Sequence, residues 1–133
     1  MRGVIGGVQG KILIINLKSK EIEEKTLSRE IFLKFIGGRG LGAYFLNSRV
    51  PTNTDPLSPQ NELIFMTGPL TGSLIPGNNK FCVTFKSPLT NTYSYSLCGG
   101  FIGPELKYAG YDGLIITEKS EEPVKAEEKA EEE

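Results

Sequence analysis

The chain has 133 residues, enough for one domain with an ordinary globular core, and its 15 basic and 16 acidic side chains nearly cancel. It contains no histidine and two cysteines, Cys82 and Cys98, which excludes a Ser-His or Cys-His catalytic pair, a His-rich metal site and an iron–sulfur cluster held by this chain alone. A net charge of −1 makes no case for nucleic acid, and there is neither a membrane-length apolar run nor a signal-like start, so a cytoplasmic location is predicted.

Charge is unevenly placed. Residues 119–133, KSEEPVKAEEKAEEE, hold seven Glu against three Lys and one sizeable apolar residue, Val124. Such a stretch cannot offset the entropy of ordering, so it reads as a disordered, solvated tail. Residues 1–118 then form the folded unit, with a mildly basic charge of about +3 once the tail's −4 is removed. That balance suits a small anionic ligand.

In chain order, Lys11–Leu17 (KILIINL) is a nearly continuous apolar strand, predicted to lie inside a sheet covered on both faces. After the polar link 18–21, Ile22–Leu27 forms a second strand with a wet face, giving a β-hairpin. Ser28 is a candidate N-cap for a short helix with Glu30 in its first turn and Ile31, Phe32, Phe35 and Ile36 as its apolar stripe. Gly37 and Gly38 are predicted to cap its C-terminus. Gly38-x-Gly40-x-x-Ala43 fits a dinucleotide fingerprint in letters alone, because that fingerprint belongs after a strand and here follows a helix. Arg39, between glycines, either donates to a phosphate or carboxylate or pairs with the last carbonyls of the preceding helix. YFLNSRV then looks helical up to Pro51. Residues 52–61 form a proline-punctuated loop, and Glu62–Thr67 forms the next strand.

Three clusters of turn residues follow, at 68–77, 87–92 and 99–104, separated by two strands predicted to be half-buried. In Lys80–Lys86, Phe81, Val83 and Phe85 alternate with Lys80, Cys82, Thr84 and Lys86; in Thr92–Leu97, Tyr93, Tyr95 and Leu97 share a face. Lys80 and Lys86 on one face either present two cations to one anion or decorate a solvated surface. Cys82 reads as a small core residue. The stretch Cys98-Gly99-Gly100-Phe101-Ile102-Gly103-Pro104-Glu105 runs into a short helix over 103–111, with Pro104 in its first turn and Gly110 at its stop. Free amides there either face the phosphate of a cofactor or simply serve turns. Glu105 suits a helix start, and Asp112 reads as a hydrogen-bond acceptor in a turn rather than an acid or base. GLIIT, 113–117, is the last buried strand.

Taken together, KILIINL, FIGGRGLGAYFL, DPLSPQNELIFMTGPLTG, KFCVTFKSPLTN and CGGFIGPELKYAGYDGLII resemble, in order from about residue 8 to 118, the N-terminal domain of the aldehyde ferredoxin oxidoreductase family of tungsten enzymes. The resemblance implies an α+β fold of mixed, β-rich sheets with a few short helices, the base on which a tungsten-bis-molybdopterin cofactor rests. It implies that Lys80 contacts a pterin phosphate where the family commonly has arginine, and that the Leu97 carbonyl lies near the magnesium bridging the phosphates. The backbone at Cys98, Gly99 and Gly100 would lie against the pterins. Lysine keeps the charge of arginine but loses its bidentate fork, and Leu97 replaces a common asparagine, which a carbonyl role tolerates. Asn78 and Asn79 stand where small glycines are usual.

In that family aldehydes are oxidised to carboxylic acids with ferredoxin as acceptor, and the [4Fe-4S] cysteines lie in a region without counterpart here. The resemblance therefore implies a base domain, incomplete by itself, that works with a larger oxidoreductase subunit or a second copy of itself and meets ferredoxin only indirectly. The competing reading is a non-catalytic structural or carrier module that self-associates.

Overall fold

The computed structural model describes residues 6–123. Six strands, β1 Lys11–Asn16, β2 Ile22–Thr26, β3 Leu63–Thr67, β4 Phe81–Lys86, β5 Tyr93–Cys98 and β6 Gly113–Thr117, form one sheet in the order β2-β1-β6-β3-β4-β5. β1 and β6 run parallel and the other neighbours antiparallel, so the sheet is mixed, as the sequence implied, but single. Three helices accompany it: α1 Arg29–Phe35, α2 Gly38–Arg49 and α3 Ile102–Tyr108. No helix among the described residues is long and apolar enough to cross a membrane. From residue 124 onward the acidic tail lies outside the described residues.

The core lies between the sheet and α1 with α2. Ile12, Ile14, Ile64, Met66 and Ile115 from the strands meet Phe32, Leu41, Phe45 and Leu46 from the helices. The opposite face is only half-covered. α3 meets it at Phe81, where a Cβ on Gly103 would stand 3.6 Å from the phenylalanine's own Cβ. Leu13, Val83, Phe85, Leu114 and Ile116 on that face are half-buried. The expectation that β1 is covered on both faces is thus met on one face and only partly on the other.

The glycines after α1 act differently from their predicted role. The positive φ that ends α1 falls on Ile36 (φ 67°, ψ −65°), closed by the Gly37 N–H donating to the Phe35 carbonyl at 2.7 Å. Ser28 occupies the N-cap position without a side-chain cap bond. Gly37 is needed for space, since a Cβ there would lie 2.8 Å from the Thr67 carbonyl oxygen. Gly40 and Gly42 sit inside α2 rather than in a loop before it. A Cβ on Gly42 would come within 2.2 Å of Thr84 Oγ1, so the helix can lie this close to β4 only with glycine there. The helical penalty of about 1 kcal/mol per glycine is offset by that approach.

A buried ion pair ties the sheet to its flanks. Lys107 Nζ and Asp112 Oδ1 are 2.8 Å apart with side chains 5% and 2% exposed. The same carboxylate accepts the Gln9 N–H at 2.9 Å and the Gly10 N–H at 2.6 Å, and Lys107 also donates to the Gly7 carbonyl. The Asp112 backbone donates to Lys11 O at 2.8 Å, while its carbonyl accepts from both the Thr67 N–H (2.9 Å) and Thr67 Oγ1 (2.7 Å). Asp112 is therefore an acceptor, as the sequence suggested, but one that reaches a hundred residues along the chain. Asp112→Ala would leave the Lys107 ammonium buried without its counter-ion. We expect a loss of about 3–5 kcal/mol in urea unfolding, and a midpoint unchanged from the parent would contradict this role.

Candidate functional site

A cleft of about 400 Å³ opens where the start of α2 faces the loop between β3 and β4. Met66, Phe81 and Cys82 from the sheet form its floor, and Leu70, Ile75 and Pro76 from the loop form an apolar lip. Gly38 and Arg39 supply one wall, and Lys80 and Leu97 close the other side. Its lining includes two cations and no carboxylate.

Local chemistry builds each wall. The loop leaves β3 at Thr67, which Asp112 fixes, and turns at Gly68, whose N–H donates to Thr71 Oγ1 at 3.0 Å. Thr71 Oγ1 donates onward to the Lys80 carbonyl at 3.2 Å, which sets the lysine's backbone at the entry to β4. Gly72 (φ 80°) and Gly77 (φ 78°) take the left-handed turns that other residues adopt poorly. On the opposite wall, the Gly37 N–H donates to the Phe35 carbonyl and the Gly40 N–H to the Gly37 carbonyl at 3.1 Å, so the start of the 12-residue α2 presents the Gly38 and Arg39 amides and the positive end of its dipole. Arg39 Nη1 donates to the Tyr95 hydroxyl at 2.9 Å, and its guanidinium lies 4.8 Å from the centre of that ring. Of the two roles weighed for Arg39, pairing with α1 carbonyls is therefore not realised.

The predicted site residues separate. Lys80 is exposed and lines the cleft with Leu97, which is 54% exposed. Cys98 ends β5, Gly99 and Gly100 follow it, and none of the three is part of the lining; Cys98 Sγ is 3.4 Å from the Gly99 carbonyl oxygen. A Cβ on Gly99 would meet the Asn79 side chain at an ordinary 3.7 Å, and Gly100 (φ 94°) faces open space. The helix after them starts at Ile102, one residue earlier than predicted, and is seven residues long. Gly103 serves close packing, since a Cβ there would meet Thr71 Cγ2 at 3.2 Å and the Asn79 carbonyl at 3.3 Å.

Lys86 corrects both readings of the lysine pair. It is buried, and its Nζ donates to the carbonyls of Thr52 and Thr54, each at 2.7 Å, at the far end of a strand about 20 Å long. Bound there, it neither joins Lys80 at an anion nor lies on a solvated face. The Cys82/Thr84/Lys86 face is the buried one because α2 lies over it, whereas β5, predicted half-buried, is largely exposed. The sequence reading missed the apolar lip at 70–76 and the Arg39–Tyr95 stack; the signal available was the run of alternating tyrosines opposite a glycine-flanked arginine.

The aldehyde ferredoxin oxidoreductase N-terminal domain model matches residues 12–127. The chain belongs to this family. It is 46% identical over 118 residues to the tungsten-containing aldehyde ferredoxin oxidoreductase of Pyrococcus abyssi, covering 89% of this chain and 19% of the relative. It is 42% identical to the aliphatic sulfonate oxidoreductase, WOR-like subunit, of Pyrococcus furiosus, over 86% of this chain and 19% of that one. Among solved structures it resembles the BamBC active-site complex of benzoyl coenzyme A reductase with 1,5-dienoyl-CoA, with a TM-score of 0.84 and 40% identity, covering 87% of this chain and 18% of that chain. The chain thus spans about one fifth of the length of the curated relatives it matches. Among the described residues, no three His, Cys, Asp or Glu side chains are placed to hold a metal ion.

The two thiols give a direct check on the cleft floor. Burial pushes the Cys82 thiol above its ordinary value, with the Thr84 hydroxyl and the Arg39 charge partly offsetting it, whereas Cys98 is exposed. With iodoacetamide at mildly alkaline pH, Cys98 is expected to alkylate and Cys82 to react only after denaturation, as read by peptide mass. Equal labelling of both in the folded protein would contradict a closed floor.

Proposed function

We propose that this chain is the cofactor-cradling base of a tungsten-containing aldehyde:ferredoxin oxidoreductase. The observation that carries this reading is the acid-free cleft with Arg39, Lys80 and the start of α2 on its walls, a donor set that fits a phosphate-bearing group. Lys80 would hold a pterin phosphate, and the Leu97 carbonyl would be available to the cofactor's magnesium. The backbone at Cys98, Gly99 and Gly100 would flank the pterins. When bound, the tungsten centre supplies the two-electron oxidation of an aldehyde to a carboxylic acid.

The chain's own residues bind and orient. Arg39, held against Tyr95, and Lys80, whose backbone is held through Thr71, place two cations on the walls, while Leu70, Ile75 and Pro76 give the mouth an apolar lip. The relatives support this division of labour. Proteins named for aldehydes, a sulfonate and benzoyl coenzyme A are each 40–46% identical to this chain, so what the domain shares with them is not a substrate pocket. Substrate, the [4Fe-4S] cluster and the contact with ferredoxin belong in this reading to the other four fifths of a full-length enzyme, or to a larger subunit, in the cytoplasm. Exposed Leu70, Leu74, Ile75, Phe101 and Ile102 offer that body an apolar surface.

The test is binding of molybdopterin released from a bis-pterin tungsten enzyme, followed by its fluorescence. Lys80→Ala is expected to weaken binding about tenfold or more, the worth of a charge-assisted hydrogen bond, whereas Lys80→Arg keeps or tightens it. Unaltered binding by Lys80→Ala, or no binding by the parent chain, would overturn the assignment.

A further inference from the structure

The two edges of the sheet are guarded differently. β2 carries Glu23, Glu24 and Lys25, and charges along an edge strand keep other chains from adding to it. β5, the opposite edge, reads Tyr-Ser-Tyr-Ser-Leu-Cys, without a charge or a proline, and is exposed at all but one of its six residues. Such an edge is a template for another strand.

The register identifies the groups that face outward. The Ser87 N–H donates to the Thr92 carbonyl at 2.8 Å, so Thr92 turns its backbone polar groups toward β4. The one-to-one register continues through Phe85 opposite Ser94 and Val83 opposite Ser96. In an antiparallel ladder this alternation aims the N–H and C=O of Tyr93, Tyr95 and Leu97 away from β4.

We propose that this edge pairs with β5 of a second copy of the chain, antiparallel about a twofold axis at Tyr95, making one continuous sheet. The strand's pattern is its own complement in that register. Tyr95 meets the partner's Tyr95, Tyr93 meets the partner's Leu97, and Ser94 meets the partner's Ser96. All three outward-facing residues then exchange backbone hydrogen bonds, and the large side chains form one row on one face. A second copy is the fitting occupant because the strand has no charge for a partner to complement and its residues match themselves. Each Arg39 stacks over its own Tyr95, so two guanidinium groups approach the axis from one side. The dimer is therefore firmer at raised ionic strength, where like charges are screened. The inference does not rest on cofactor binding, but it meets it at one atom: the Leu97 carbonyl used in pairing is the one read above as lying near magnesium, so the paired form is the cofactor-free form.

The test uses the full chain without cofactor. Light scattering under reducing conditions is expected to give twice the chain mass, with the dimer fraction rising with salt. Leu97→Pro removes an outward N–H without touching the ladder to β4, and is expected to be monomeric. The register is read by Thr92→Cys, which places a thiol opposite the partner's Cys98 in a pair with Cα atoms about 4.5 Å apart, within disulfide reach. Mild oxidation should give a reducible covalent dimer with Thr92→Cys and none with Thr92→Cys combined with Cys98→Ser. A monomeric parent chain, a Leu97→Pro variant that dimerises as well as the parent, or a Thr92→Cys variant that does not cross-link would each overturn the proposal.

Discussion

The structure depends most on one buried carboxylate. Asp112 is 1% exposed, and a charge so far from water persists only if its oxygens are fully engaged. They are engaged by Lys107 from α3 and by the amides of Gln9 and Gly10 from the segment that enters β1. Its own backbone joins Lys11 and Thr67, so β1, β3, β6 and α3 are referenced to one residue. From Thr67 the sequence of contacts runs through Gly68 and Thr71 to the Lys80 carbonyl, which is how an interior ion pair reaches the backbone at the mouth of the cleft.

The second constraint is proximity. Gly42 lets α2 rest on Thr84, and Gly37 lets the chain turn against the Thr67 carbonyl, so the start of α2 stands beside the β3–β4 loop. Two glycines that would weaken a helix or a turn elsewhere bring the positive end of α2 and Arg39 to the same opening as Lys80. The domain that carries this opening is matched at 40–46% identity by relatives named for unlike substrates.

Much of the fold was legible in the sequence. The alternation in β4, the apolar run of β1 and the Gly-Leu-Ile-Ile-Thr of β6 carry the period of strands, and each is found within a residue or two of its predicted place. For β4 the sequence marked Cys82 as a small core residue, which it is at 1% exposed, but did not show that Thr84 and Lys86 share its buried face. Cys82 and Thr84 are buried because a glycine-bearing helix lies on their face, a fact that depends on α2 and not on β4. Lys86 could not be read for the same reason: its partners are two carbonyls of a loop more than thirty residues earlier. The Lys107–Asp112 pair is five residues apart and looks like ordinary surface charge until the incoming Gln9 and Gly10 are brought to it. Of the residues named from the resemblance, Lys80 and Leu97 line the cleft and Cys98, Gly99 and Gly100 do not, while the apolar lip was hidden in turns whose composition says only that the chain bends.

The central claim is that the chain serves as the base for a tungsten pterin cofactor, and the most direct measurement is the composition of the native assembly. The polypeptide carrying this sequence would be purified anaerobically from its own source, its tungsten and pterin quantified and its co-eluting chains identified by mass spectrometry. Tungsten, phosphorylated pterin and an iron–sulfur-bearing body travelling with it are the predicted result. A metal-free, pterin-free chain eluting by itself or only with copies of itself would contradict the account.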